Sequence, residues 1–194
     1  MNKKPINEQS GPYTLQQFLK FLNTTHDRYE LHEGYPILLT PASPRHEEVV
    51  LNLGSEIRRF LKGGPCRIFG SNLAVYLPFN PDTPQYYLPD ISVICDSSKL
   101  KQDGCYGAPD LVVEVLSPNT ARNDRLSKYH WYERSGVREY WIVDSNDCCI
   151  EKYVLTAGEF VREDVYDSDH DLVSTIFPEI NIHLHDIFFS LETD

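Results

Sequence analysis

DLVVEVLSP, residues 110–118, sets a glutamate inside a run of apolar, mostly β-branched residues. Leu111, Val112, Val113, Val115 and Leu116 read as a strand buried on both faces. Side chains alternate along a strand, so Asp110, Val112, Glu114 and Leu116 share one face. Taking a lone carboxylate out of water costs several kcal/mol even after the protein relaxes. Such a group is paired, hydrogen-bonded or bound to a metal. The rest of the chain must therefore supply Glu114 with a partner.

The chain has 194 residues, enough for one medium domain with a substantial core. Residues 1–13 read as a flexible N-terminal tail and residues 14–194 as a single domain. Neither internal repeats nor a domain linker is apparent. No apolar stretch approaches the roughly 20 residues that span a bilayer. MNKKPINEQSGP lacks the apolar centre of a signal peptide, so a cytoplasmic location is the default expectation. A net charge of -11 argues against a protein that coats DNA regardless of sequence, which would be basic. It leaves room for an acidic pocket that holds a cation. Cys66, Cys95, Cys105, Cys148 and Cys149 are odd in number and lack metal-ligand spacing. They read as buried or half-buried free thiols, without a zinc site or disulfide framework.

TLQQFLKFLN (14–23) has helical apolar spacing, with Thr14 as N-cap. RYELHEGYPILLTPAS (28–43) reads as two short strands around a turn at Glu33-Gly34. SPRHEEVVLNLGSEIRRFLKGG (43–64) is the clearest long helix, with Ser43 as cap, Pro44 in the first turn and Gly63-Gly64 as its end. CRIFGSNLAVYLP (66–78) and YYLPDISVIC (86–95) are strand patterns, and SSKLKQDGCYGAP (97–109) reads as a loop. A second helix is expected over 119–136, capped by Asn119 or Thr120 and ended at Gly136. VREYWIVD and CIEKYVLT form a hairpin around Ser145-Asn146-Asp147, with Asp144 serving the turn. EFVREDVYD adds a strand, and a strand and short helix close the chain. This order predicts an α/β or α+β domain with a mixed central β-sheet flanked by helices.

The carboxylates are the chemistry-bearing residues. Asp90 starts the strand of PDISVIC. If that strand pairs with DLVVEVLS, Asp90 approaches Glu114. Two carboxylates and a backbone carbonyl suit Mg²⁺, which prefers oxygen ligands and keeps several waters. On the following helix Asp124, Lys128 and Tyr132 lie at spacings of four, on one stripe. Either this stripe is a solvated face with an ion pair, or it turns Lys128 toward the carboxylates. Tyr132 serves as core packing or as a hydrogen bond within the site. His46 divides between a helix-start role and a site role, and Asp110 reads as a strand-start anchor. Arg58, Arg59, Lys62 and Arg67 form one basic cluster and Arg122, Arg125 and Lys128 another. Both could meet phosphates, and solvated helix faces explain both equally well.

PD, DLVVEVLSPNT, D-x3-K-x3-Y and SGVREYWIVD together resemble the Uma-two family, part of the PD-(D/E)XK nuclease superfamily. YELHEGYPILLTPASPRH is similar to that family's N-terminal block, and the resemblance runs over roughly residues 14–160. It implies a restriction-endonuclease-like fold. It implies Asp90 and Glu114 as metal ligands, Glu30 of the YEL stretch as a further acidic site residue, and Mg²⁺ (or Mn²⁺) as cofactor. The simplest superfamily motif carries a lysine two residues after the glutamate, where this chain has Leu116. The resemblance moves that lysine to Lys128.

The expected function is metal-dependent hydrolysis of DNA phosphodiester bonds by Glu30, Asp90, Glu114 and Lys128. The competing expectation is a catalytically inactive descendant of the fold that binds nucleic acid or protein. Convergence of the four residues on one pocket discriminates between them. A homodimer would match the two-fold symmetry of a duplex.

Overall fold

Thr14 accepts a hydrogen bond from the Gln17 N–H while the Gln17 side chain accepts from the Thr14 N–H, so the expected cap opens helix α1 (Leu15–Leu22). The structure is a computed structural model that describes residues 12–77, 84–117 and 124–189. Most of the expected N-terminal tail lies outside these residues. Tyr13, assigned to that tail, is instead buried, with its N–H donating to the Gly34 carbonyl at 2.7 Å. Strands β1 (Tyr29–His32) and β2 (Tyr35–Leu38) pair antiparallel around Glu33-Gly34. Both turn residues have positive φ, as the turn expected there requires. Helix α2 (Pro44–Leu61) starts at Ser43, whose hydroxyl accepts from the His46 N–H. Its Val49, Leu53, Ile57 and Leu61 face the core.

The two central strand patterns each break in two. The first becomes β3 (Arg67–Gly70) and β4 (Val75–Leu77). The second becomes β5 (Gln85–Tyr87) and β6 (Ile91–Ile94). The segment expected to be a loop holds a short 3-10 turn at Ser97–Lys99 and strands β7 (Leu100–Lys101) and β8 (Gly104–Tyr106). Gly104 makes β8 feasible. Its φ is +155°, and a Cβ there would stand 2.4 Å from the Ala74 carbonyl oxygen. The close approach lets β8 pair with β4, a contact distant in sequence and invisible to local pattern.

Strand β9 (Leu111–Val115) is buried throughout. Beyond it, a π-helical turn at Asp124–Lys128 leads into helix α3 (Tyr129–Ser135), ended by Gly136 in the left-handed conformation. Residues 118–123, including the expected caps Asn119 and Thr120, lie outside the described residues. Then come β10 (Glu139–Asp144), β11 (Cys149–Thr156), β12 (Glu159–Asp167), β13 (Asp171–Val173), β14 (Asn181–His183) and helix α4 (Leu184–Phe188).

The α+β class is as expected, but the central sheet is not single. One six-stranded sheet runs β2-β1-β5-β4-β8-β7 and a second runs β12-β11-β10-β9-β6-β3, with β13 and β14 as a separate pair. Both large sheets are mixed: β4 is parallel to β8, and β9 to β10. The chain passes between them at Gly70–Ala74 and again at Leu88–Asp90. Leu111, Val113 and Val115 pack with α2 and Trp141 in one core. Val112 and Leu116 pack with Tyr132 and Tyr140 in another.

One cysteine expectation is overturned. Cys66 and Cys95 form a disulfide. The β3–β6 register pairs Arg67 with Ile94, so these cysteines are the next cross-strand neighbours, a proximity their 29-residue separation hides. Cys105, Cys148 and Cys149 are free thiols. Asp110 is the strand-start anchor expected, accepting from the Cys95 N–H and pairing with Arg138. Asp144 accepts from the Asn146 and Asp147 N–H groups of the hairpin turn.

Glu139 is a fully buried carboxylate that holds the C-terminal segment onto β10. It accepts from Trp141 Nε1, Ser174 Oγ and the N–H groups of Thr175 and Ile176, at 2.6–3.0 Å. Removing a shared acceptor leaves each buried donor at a cost of about 1–3 kcal/mol. Glu139→Ala should therefore lower unfolding stability by at least about 2 kcal/mol, read as a reduced urea midpoint.

Candidate functional site

β6 and β9 pair antiparallel, with Ile91 opposite Val113. One step further, Asp90 stands opposite Glu114. The Asp90 side chain extends the ladder: its Oδ2 accepts from the Val115 N–H at 2.8 Å. Glu114 points to the α3 side of its sheet, among Tyr132 and Tyr140, because it shares the face of Val112 and Leu116.

Its partner is Lys128. The ammonium lies 2.9 Å from Glu114 Oε1, 3.0 Å from Glu30 Oε1 and 3.3 Å from Asp124 Oδ1. Three N–H donors thus face three carboxylates, with Lys128 only 3% exposed. Tyr132 donates its hydroxyl hydrogen to the same Glu114 oxygen at 2.8 Å. The Asp124–Lys128–Tyr132 stripe is therefore a buried face, and Tyr132 is both core and site. Glu30 Oε1 also accepts from the Leu88 N–H at 2.9 Å, and His32 Nε2 lies 2.8 Å from the other oxygen, Oε2. His46 Nε2 lies 2.9 Å from the Val115 carbonyl and 3.2 Å from Asp90 Oδ2.

All four expected site residues, Glu30, Asp90, Glu114 and Lys128, line one cleft of about 660 Å³, together with His46 and the Val115 backbone. His32 and Asp124 complete the cluster; Asp124 lies on the stripe read from the sequence, whereas His32 was not singled out there. His32 carried a signal, since it follows Glu30 by two on the same strand and so shares its face. The basic clusters contribute less. Arg59 pairs with Glu56 and Arg125 with Glu151, both at 2.7 Å. Lys128 is buried rather than presented to solvent, and Arg122 lies outside the described residues.

One ammonium cannot satisfy all these acids equally. Burial raises the Glu30 pKa, but Lys128, His32 and the Leu88 N–H outweigh it and bring the carboxyl down to about 2. Glu114 goes the other way. Burial lifts its pKa well above the usual carboxylate range, and the nearby Asp124, Asp90 and Glu30 charges add to that, against Lys128. Burial disfavours charge on Lys128, yet its carboxylates hold its pKa well above the ordinary lysine value. Burial lowers the His46 pKa, and Asp90, Glu47 and the Val115 carbonyl raise it by more.

Mg²⁺ fits the donor chemistry. Asp90, Glu114 and the Val115 carbonyl offer oxygen, and every described bond to Asp90 falls on Oδ2 and to Glu114 on Oε1. Among the described residues no three His, Cys, Asp or Glu side chains form a ready cage. A two-carboxylate set suits an ion that keeps several waters. No helix among the described residues is long and apolar enough to cross a membrane.

A model of the Uma2 family, described as "Putative restriction endonuclease", matches residues 15–185. This chain belongs to the Uma2 family. Two Synechocystis sp. relatives of this Uma2 chain carry the names "Uncharacterized protein slr1290" and "Uncharacterized protein sll1609". The first is 30% identical over 139 residues, covering 71% of this chain and 72% of that protein. The second is 24% identical over 143 residues, covering 72% and 79%. The Uma2 fold also matches a crystal structure from Anabaena variabilis, titled as "a putative nuclease belonging to DUF820". It has a TM-score of 0.74 and 24% identity, covering 91% of this chain and 98% of that one.

Removing one partner of a buried ion pair costs about 3–5 kcal/mol. Lys128→Met should lose about that much stability at pH 8. In the variant, Glu114, whose pKa already stands well above the ordinary carboxylate value through burial and its neighbouring acids, loses the Lys128 charge that opposes that rise, so the folded state binds a proton before the unfolded state does. Acidification from pH 8 to 5 should therefore narrow the deficit against wild type in paired urea titrations.

Proposed function

We propose that this protein is a Mg²⁺-dependent endonuclease that hydrolyses DNA phosphodiester bonds, built on a restriction-endonuclease-like fold. The observation that carries the reading is the convergence of Glu30, Asp90, Glu114 and Lys128, drawn from both large sheets and a helical turn, on one cleft. Asp90 and Glu114, with the Val115 carbonyl, would hold the ion. When bound, Mg²⁺ supplies positive charge to a phosphodiester oxygen and lowers the pKa of water. The protein's own groups set up that reaction. Lys128 keeps its proton, so it acts as a fixed positive charge beside the reacting phosphate and not as a base. Tyr132 and Lys128 together orient Glu114 through one oxygen. Glu30 and Asp124 hold the ammonium in place. Leu116 at the usual lysine position packs in the core, and the Lys128 ammonium reaches the glutamate from the helical turn instead.

The test is nicking of supercoiled plasmid in Mg²⁺ or Mn²⁺, with EDTA as control. Wild type should cleave. Glu114→Gln and Asp90→Asn should each lose at least about 100-fold in rate, the scale of losing one preorganised charge contact. Cleavage untouched by Glu114→Gln would sink the mechanism. Metal binding with no cleavage of any DNA form would favour the inactive descendant of the fold.

A further inference from the structure

His46 is the third residue of α2, and Ser43 fixes its backbone by capping the helix start. Its ring is nearly buried, with 9% of the side chain exposed. A carbonyl oxygen only accepts, so the 2.9 Å contact with Val115 means that Nε2 carries the hydrogen. The same N–H reaches Asp90 Oδ2 at 3.2 Å. Asp90 Oδ2 thus has two donors beside it, His46 Nε2–H and the Val115 N–H, and no described bond falls on Oδ1. The Val115 carbonyl gives one lone pair to His46 and keeps its second. One imidazole thus contacts both the Asp90 carboxylate and the Val115 carbonyl, two groups that are ligands in the metal reading above.

The contact is not needed to seat the helix. Val49, Leu53 and Ile57 already pack α2 against Val113 and Val115 of β9 in one apolar core. We infer that His46 is a positioning residue: its Nε2–H sets the Asp90 carboxylate and the Val115 carbonyl in the geometry that receives the divalent cation. This rests on the metal reading under Proposed function. Hydrogen bonds behind metal ligands are worth about 10–100-fold in metal affinity.

The experiment is Mn²⁺ titration calorimetry on the full chain, wild type against His46→Leu and His46→Gln, with melting temperatures recorded for each. Glutamine places an amide N–H near the Nε2 position, and leucine removes the donor at similar bulk. His46→Leu should bind Mn²⁺ about 10–100-fold more weakly, and His46→Gln should stay within about threefold of wild type. If His46→Leu does not fold, His46→Asn serves as the loss variant, because its shorter amide cannot span both acceptors. Wild-type affinity retained in the folded loss variant would overturn this inference alone, as would a His46→Gln affinity no better than that of the loss variant. Absence of Mn²⁺ binding by the wild-type protein would overturn the metal reading and this inference with it.

Discussion

Lys128 organises the centre of this molecule. Its ammonium is shared by Glu30 on β1, Glu114 on β9 and Asp124 on the turn before α3. Each of those acids would be expensive to bury alone, since desolvating a charge costs several kcal/mol even after relaxation. The lysine would be as expensive. Only together are they tolerable, so the cluster ties the two large sheets to the helical layer. The same mutual dependence separates the acids. Glu30, with His32 and a backbone N–H besides, is firmly ionised, while Glu114 is left short of compensation. A cation at Glu114 would relieve that shortfall.

The route of the chain decides where these groups meet. At Leu88–Asp90 the chain leaves one large sheet for the other. Within those three residues the Leu88 N–H binds Glu30, and Asp90 binds the Val115 N–H. A single crossing therefore fixes one acid on each side of the cleft. β9 lies between β6 and β10, buried on both faces. A strand in that position cannot slip by one residue without exchanging Glu114 for Val113 or Val115 at the cluster. Register, burial and charge compensation thus select the same arrangement.

The overall charge bears on how a polyanion would approach. The protein carries -11, and several arginines, among them Arg59, Arg125 and Arg138, are engaged with acids on their own surface. Long-range attraction of DNA is weak under such a field. On the proposed reading, affinity would have to come from contacts near the cleft, whose wall includes Arg28.

Much of the outline was legible in the chain. Thr14, Ser43 and Gly136 marked helix ends because caps and left-handed turns demand those residues locally. The apolar run in DLVVEVLS showed that Glu114 must be buried with a partner, and the spacing of Asp124, Lys128 and Tyr132 placed the candidates on one stripe. Resemblance added Glu30. What only the tertiary structure decided is which groups meet. The strand patterns at 66–78 and 86–95 look continuous, since hydrophobic alternation does not say to which sheet a strand belongs. The Cys66–Cys95 bond, the β4–β8 pairing and the His46 bridge each join residues far apart in sequence. Whether Lys128 faces water or acid also depended on the fold. A local pattern records the period of an element, whereas a buried charge is stabilised by partners that the chain brings from elsewhere.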